Sequence, residues 1–228
     1  MTTVAIMQPY FAPYAGYFRL MTAADIFVTY DCVQFPRRGW VHRNKMPSIQ
    51  QESQWLTLPL QKQPRETLIK DLQFADQAQD AWTKRLQSFH HANQNSGVWN
   101  QFATLSGTPC NFISDLLKYT CSTLDIQTTW KRSSDLQLPP TLKGQHRILE
   151  IVRHFGGTKY INVPGGVGLY DLSDFAQHNI QLQFFEQYRG SYASIFERLL
   201  LEEHPQIKQE IVENCHYQTE LLSPSNQD

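Results

Sequence analysis

The sequence lacks the features that mark membrane-spanning, secreted and disulfide-linked proteins. No apolar run approaches the roughly 20 residues that a membrane-spanning helix needs. The first residues, MTTVAIMQPY, lack the basic and then apolar regions of a signal peptide and are typical of a first strand. The four cysteines are scattered, without a Cys-x-x-Cys pair, which favours reduced thiols. We therefore expect a cytoplasmic protein that is not inserted in a membrane.

Motifs for several kinds of chemistry are also missing. The sequence has no His-x-x-x-His pair, no paired-carboxylate motif and no Gly-x-Ser-x-Gly nucleophile elbow. It also lacks a Walker A motif and the Gly-x-Gly-x-x-Gly fingerprint of dinucleotide-binding proteins. We therefore predict neither a metal site nor a bound cofactor.

The charge of the chain is almost balanced. A formal net charge of -1 over 228 residues gives no general attraction for DNA or anionic membranes, so any anion site must be local. With 41% hydrophobic and 18% charged residues, the chain is expected to be globular. Its length fits one α/β domain over residues 1–222, in which helices near 192–216 either complete the domain or form a small cap. We expect residues 223–228 to be a disordered tail.

Hydrophobic patterning predicts a three-layer α/β fold with a mostly parallel sheet between helices. The chain opens with a strand at 4–7, a helix from 14 to 21 and a strand at 25–30, which together form a Rossmann-like βαβ unit. A loop is predicted at 35–46. Further strands are predicted at 54–60, 69–74, 127–131, 158–163 and 180–185, and further helices at 81–89, 112–124, 148–155, 172–178, 195–201 and 205–214.

Polar residues follow the first two predicted strands. Gln8 and Tyr10 come just after the first strand, and Asp31 and Gln34 come just after the second. Ligands of open parallel sheets bind beyond the carboxyl ends of the strands. The sequence therefore predicts a site at this edge, with Asp31 as one candidate for the base.

The predicted loop at 35–46 mixes cationic and aromatic side chains. Arg43 and Trp40 lie in it, and Arg can bind a phosphate or carboxylate through two hydrogen bonds. The loop is either an anion clamp or a solvated basic surface. His42 in this loop and His146 in a later polar segment are candidate general bases, or simply solvated side chains.

Two later segments are also candidates for binding a ligand. Residues 143–147, with the sequence KGQHR, precede a predicted helix, where cations oppose the helix macrodipole unless they serve a ligand. Gly165 and Gly166 follow a predicted strand. Glycines there let backbone N–H groups approach an anion, although a tight structural turn has the same sequence.

Five motifs in order resemble the WbqC-like protein family: MQPYFAPYAGYF, ADIFVTYDCVQFPRRGWVHRNKM, SSDL, LKGQHRI and YINVPGGVGLYD. They extend over roughly residues 4 to 187. Members of this family are encoded in bacterial O-antigen, capsule and related glycan clusters. The resemblance implies a cytosolic protein that acts on a nucleotide-linked amino sugar, with aminoacyl or acyl transfer to the sugar amine as the expected reaction.

The resemblance also implies which residues form the site. The expected substrate-binding residues are Gln8, Tyr10, Gln34, Trp40, Arg43, Asn44, Lys143, Gln145, Arg147, Asn162, Gly165, Gly166, Tyr170 and Asp171. The candidate catalytic residues are Asp31, His42 and His146. The chain departs from the family pattern at His42, where Asn is expected, and at His146, where an acidic residue is expected. If that acidic residue takes part in catalysis, the second departure puts the activity in doubt.

Three functions remain open on the sequence. A transferase would hold a phosphate-bearing small molecule, such as a sugar nucleotide, and receive an acyl or aminoacyl group from a donor or its carrier. A nucleotidylyltransferase-like enzyme has a similar opening, but YAGY at 14–17 replaces its usual His-x-Gly-His. A non-catalytic protein would bind a sugar nucleotide or carrier, with Tyr10 and Trp40 stacked on a sugar or base.

Overall fold

The structure is a computed structural model that describes residues 1–47, 52–89 and 96–218. Its strands are β1 (Thr3–Met7), β2 (Ile26–Thr29), β3 (Arg43–Pro47), β4 (Ser53–Thr57), β5 (Thr129–Arg132), β6 (Lys159–Asn162) and β7 (Gln181–Phe184). Five of these strands form a parallel sheet in the order β5-β2-β1-β6-β7. The other two, β3 and β4, pair as a separate antiparallel hairpin.

Eight α-helices connect and cover these strands in the described ranges. They are α1 (Arg19–Ala23), α2 (Ala78–Leu86), α3 (Gly97–Ala103), α4 (Pro109–Thr123), α5 (Gly144–His154), α6 (Leu172–Gln177), α7 (Ile195–Leu201) and α8 (His204–Glu213). None of them is long and apolar enough to cross a membrane.

Side chains of the parallel sheet alternate between two apolar layers. Val4 and Ile6 of β1 pack with α5 and α6, while Ala5 packs on the opposite face with α1, α4 and the C-terminal helices. The in-register neighbours of Ala5 are Phe27 and Ile161, which face the same layer. The period-two alternation of strands thus gives three layers, with helices on both faces of the sheet. The predicted α/β fold is confirmed.

The opening unit has a short connection. A 3₁₀ turn at Ala15–Phe18 leads into the five-residue α1, and β2 then pairs in parallel with β1. After β5 the chain returns to the other side of β1, so the strand order changes direction between β1 and β6. This order is compatible with the Rossmann-like opening expected from the sequence.

Two predictions of local structure were wrong. Part of the predicted loop at 35–46 is strand β3, in which buried Asn44 and Met46 alternate with the more exposed Arg43 and Lys45. A buried asparagine hid this alternation, because apolar periodicity alone cannot show it. The predicted strand at 69–74 is instead a 3₁₀ turn at Ile69–Asp71 followed by a single bridge.

Other boundaries differ less. Helix α5 begins at Gly144, several residues before its predicted start, and α3 was not predicted because its seven residues show little apolar periodicity. The left-handed Gly156 ends α5 as expected. The predicted tail at 223–228 lies outside the described residues.

A buried arginine joins the two ends of the domain. Arg19 is 1% exposed. Its guanidinium donates to the backbone oxygens of Gly16, Glu186 and Asn214, at 3.0, 2.9 and 3.1 Å. The Asn214 carbonyl lies at the end of α8, where the helix macrodipole favours a cation. One side chain therefore fixes the first helix against the last strand and the last helix.

We predict that Arg19→Met destabilises the protein by about 2–4 kcal/mol, because buried carbonyls lose a charged donor. Urea unfolding followed by circular dichroism measures the change. Arg153→Met is the matched control, since Arg153 is half exposed and, among the described residues, pairs with Glu150 alone, one helical turn away; we expect a change below about 0.5 kcal/mol. An equal effect of the two substitutions would contradict the role of Arg19.

Candidate active site

Three adjacent cavities lie at the carboxyl edge of the parallel sheet. The central cavity, of about 370 Å³, lies between the ends of β1 and β6 and is lined by Gln8, Tyr30 and Asn162 among others. Tyr30 also lines a second cavity, and Tyr10 and Tyr14 line a third. The central cavity therefore occupies the point where the strand order reverses, which is where open α/β sheets bind ligands.

The central cavity is lined by a network of hydroxyl and amide groups. The Asn162 amide donates to the hydroxyls of Tyr160 and Tyr170, at 3.1 and 3.2 Å. Burial raises the pKa of both tyrosines, and it raises the pKa of Tyr30 to about 12. These hydroxyls therefore stay protonated near neutral pH and act as hydrogen-bond donors.

Two groups in the central cavity have free hydrogen-bonding capacity. Within the described residues, neither the Tyr30 hydroxyl nor the Gln8 amide has a hydrogen-bond partner. Gly166 lies close beneath the cavity: a Cβ at this position would come within 2.8 Å of the Asn162 amide nitrogen. The backbone there needs glycine to approach the network. Gly165 lines the same cavity with open space at its Cα.

The second cavity, here called the cationic cavity, has a volume of about 530 Å³ and lies beyond the ends of β2 and β5. Lys70, Lys143 and Arg147 line it, and its described lining includes no carboxylate residue. The first turn of α5 also faces it at Gly144, and no side chain caps this helix end. Uncapped N–H groups at a helix amino end favour an anion.

Arg147 has a fixed position in the cationic cavity. It is 9% exposed and donates to the backbone oxygens of Pro139 and Leu142, at 2.8 and 2.6 Å. Its third nitrogen lies 3.2 Å from the Cys32 sulfur. Lys143 and Lys70 are exposed and have no such ties in the described ranges. They are the cations that can move to meet a ligand.

The third cavity, here called the aromatic cavity, is the largest of the three, at about 600 Å³. Tyr10, Tyr14, Trp40 and Tyr192 line it, with Asn44 of β3 at one wall. The Asn44 amide donates to the backbone oxygen of Ala12 and its carbonyl accepts from Lys45 N–H at 2.7 Å. Asn44 therefore holds the β3–β4 hairpin against the turn after β1.

Asp31 lies beneath the cationic cavity and not in it. Its carboxylate is fully buried, with the Arg132 guanidinium 2.7 Å away. The Ser133 hydroxyl donates to it at 3.0 Å, and Ser134 donates from both its backbone N–H and its hydroxyl, at 2.9 and 2.8 Å. This geometry favours a positioning role. The catalytic role expected from the sequence stays a prediction.

The other two candidate bases, and Arg43 of the candidate clamp, line none of the three cavities. His42 packs edge-on against Phe35, and burial together with Arg43 lowers its pKa to about 4. His146 is exposed and lines none of the three cavities. Arg43 donates to the backbone oxygen of Arg38 at 2.8 Å and lies 4.1 Å from the centre of the Trp55 ring. The three predicted bases are thus not brought together.

The remaining predicted residues hold loops in place. Gln145 donates to the Asp174 carboxylate and accepts from Asp171 N–H at 2.8 Å, which ties α5 to the start of α6. Asp171 caps α6 through the Ser173 N–H at 2.8 Å. Gln34 lines the cationic cavity and donates to the backbone oxygen of Arg65 at 2.7 Å.

Some lining residues were missed. Tyr30 directly precedes Asp31, so its position at the end of a predicted strand could have marked it. Lys70, Tyr192 and Glu197 come from segments whose sequence gives no sign that they return to this edge.

The chain is similar in sequence to known proteins along most of its length. The profile of the WbqC-like protein family matches residues 8–198. The chain belongs to the WbqC-like protein family. A relative from Mycobacterium tuberculosis (strain ATCC 25618 / H37Rv), the uncharacterized protein Rv1507c, is 27% identical over 197 residues, which cover 82% of this chain and 83% of the relative. No solved structure matches the chain.

Membership of the WbqC-like family suggests a role related to glycan biosynthesis. The matched range extends past residue 187, the end of the motifs noted in the sequence, and takes in Tyr192 and Glu197. All three cavities are therefore built almost entirely from the part of the chain that the WbqC-like profile covers.

We predict that Asp31→Asn destabilises the protein by about 2–4 kcal/mol, because the charge of Arg132 loses its partner; the value allows for the partial exposure of Arg132. Thermal and urea unfolding measure the loss. Asp76→Asn, at an exposed position, is the control and should change little. A fully stable Asp31→Asn protein without activity would instead favour Asp31 as the base.

We predict that His42 makes the protein less stable in acid. Its folded pKa of about 4 lies below the ordinary 6.5, so the folded protein binds fewer protons than the unfolded chain between these values. Stability that is complete above pH 6.5 is lost as the pH falls towards 4, by about 2 kcal/mol after allowance for partial exposure. Urea unfolding across this range should show a flatter profile for His42→Asn. Parallel profiles for the two proteins would contradict the prediction.

Proposed function

We propose that the protein is a transferase of glycan biosynthesis that moves an aminoacyl or acyl group onto the amino group of a nucleotide-linked sugar. The observation that carries this proposal is the pairing of two unlike cavities on either side of a central one. One side is cationic and the other is aromatic. Two substrates of different chemistry can therefore meet at the switch point of the sheet.

The cationic cavity is the place for the nucleotide-linked sugar. Its phosphates would lie at the amino end of α5, where backbone N–H groups and Lys143 favour negative charge. Lys70 would approach the same phosphates from the opposite wall. The absence of a carboxylate from the described lining leaves these cations without a competing partner.

The aromatic cavity is the place for the donor. From there the carbonyl of an activated ester would reach the central cavity, where the Tyr30 hydroxyl and the Gln8 amide can donate to its oxygen. Donors that are fixed before the reaction stabilise the negative charge that develops on such an oxygen. The raised pKa of Tyr30 keeps its proton available for this role.

The transfer is a substitution at a carbonyl carbon. The sugar amine attacks this carbon and forms a C–N bond, and the bond to the leaving group breaks with its electron pair on the leaving group. The attacking nitrogen loses a proton, either to the leaving group or to water. Holding both reactants at one point accounts for much of the rate, because it replaces a bimolecular encounter.

The test supplies nucleotide-linked amino sugars together with activated aminoacyl or acyl esters and follows products by mass spectrometry. We expect a mass gain of one acyl group on the sugar nucleotide. Lys143→Gln should raise the KM for the sugar nucleotide by about tenfold, the effect of one charge-assisted contact. Lys84→Gln, which removes an exposed charge on α2, should leave the KM unchanged.

Two outcomes would contradict this proposal. Magnesium-dependent release of pyrophosphate from a nucleoside triphosphate would show nucleotidyl transfer instead. Tight binding of sugar nucleotides without any turnover across the donor panel would show a binding protein.

A further inference from the structure

One carboxylate in the aromatic cavity lacks a counter-charge. Two nearby acidic residues, Glu202 and Glu210, each lie 2.7 Å from the buried Arg198 guanidinium. Glu197, the residue before this arginine in sequence, lines the aromatic cavity instead. Among the described residues it has neither an ion pair nor a hydrogen bond. Its charge is therefore free to meet a ligand.

The surroundings of Glu197 do not stabilise its charge. Burial raises the pKa of this carboxyl, and the negative charge of Glu202 raises it further. Among the described residues no cation opposes these effects, since Arg198 is turned towards Glu202 and Glu210. A ligand with a positive charge would stabilise the charged form of the Glu197 carboxylate.

The walls around Glu197 favour a cation as well. Tyr14 and Tyr192 stack with ring centres 4.9 Å apart, and Trp40 is 44% exposed with its ring 5.2 Å from that of Trp55. Faces of aromatic rings attract ammonium groups. An aromatic enclosure with one carboxylate is the arrangement by which proteins bind organic amines.

Lys45 is the one cation that lines the same cavity in the described chain. Its ammonium lies 5.6 Å from the centre of the Trp55 ring, and it forms no ion pair with Glu197 in the described residues. The cavity therefore has one free charge of each sign. A ligand that carries an ammonium group and, elsewhere, a hydrogen-bond acceptor is complementary to both.

We infer that the aromatic cavity binds the free α-ammonium of an aminoacyl group, with the ammonium on Glu197 between Tyr14, Trp40 and Tyr192. The assignment of this group to the donor rests on the proposed function. It decides between the two donor classes, because a plain acyl group has no ammonium to place on Glu197. The donor is thus an activated amino acid with an unmodified amine.

The test is a binding measurement that needs no acceptor sugar and no turnover. Amides of the twenty amino acids are compared with their Nα-acetyl forms, which keep the side chain and lose the positive charge of the α-amine. Thermal shift selects the best amide, and isothermal titration calorimetry measures its affinity. We expect the charged amide to bind at least about tenfold more tightly than its N-acetyl form.

Substitutions then test where the amine of the amide binds. Glu197→Gln should weaken binding of the amide by about tenfold or more and leave the N-acetyl form unaffected. Glu203→Gln, an exposed position at the start of α8, removes an equal charge and should change neither. Trp40→Leu should weaken the amide by roughly 2- to 30-fold, the range of a cation–π contact. Urea unfolding of each variant checks that it is folded.

Several outcomes would overturn the inference. They are the absence of amide binding to the unchanged protein, equal affinity for amide and N-acetyl form, and unchanged affinity in the folded Glu197→Gln variant. Failure of the proposed transfer is a separate outcome. If the protein binds amides through Glu197 but forms no product, the ammonium site is supported and only its role in transfer is contradicted.

Discussion

The site depends on the buried ion pair between Asp31 and Arg132. Asp31 lies two residues after the end of β2 and Arg132 is the last residue of β5, so their contact holds the ends of two neighbouring strands together. The buried carboxylate would be costly without its partners, and Ser133 and Ser134 satisfy its remaining lone pairs. These serines and Cys32 line the cationic cavity. The ion pair between Asp31 and Arg132 therefore helps to hold the residues that shape the cationic cavity.

A second constraint sets the opposite wall. Ser194 donates to the backbone oxygen of Ala12 at 2.8 Å, and Ile195 N–H donates to that of Pro13 at 2.7 Å, so the turn after β1 is bound to the start of α7. Since the Asn44 amide donates to the same Ala12 oxygen, three distant segments meet at one carbonyl. The backbone of Ala12 is left-handed, with φ 44°. The aromatic cavity is the space that this junction encloses.

The sequence predicted the layers of the fold and the edge that carries the site, because buried strands and polar strand ends have local signals. Gln8, Tyr10, Asn162 and Gly166, which were predicted to bind substrate, line the central cavity at that edge, and their role in binding stays a prediction. The roles of individual side chains were harder to predict from the sequence. Arg43 packs on Trp55 because β4 pairs with β3 beside it. No local sequence pattern predicts this pairing. Glu197 lines the aromatic cavity because the start of α7 returns to the turn after β1.

The titratable groups that line the central cavity limit the chemistry that it can support. Its titratable groups include tyrosines whose pKa is raised by burial, so they donate hydrogen bonds and do not accept protons near neutral pH. In the proposed reaction such groups would stabilise an oxyanion, and the proton of the amine would pass to the leaving group or to water. A reaction whose nucleophile is already an amine fits this better than one that needs a strong base to activate a hydroxyl. The described lining of the central cavity contains no histidine, lysine or carboxylate residue, and this lining is compatible with the proposed acylation of an amine.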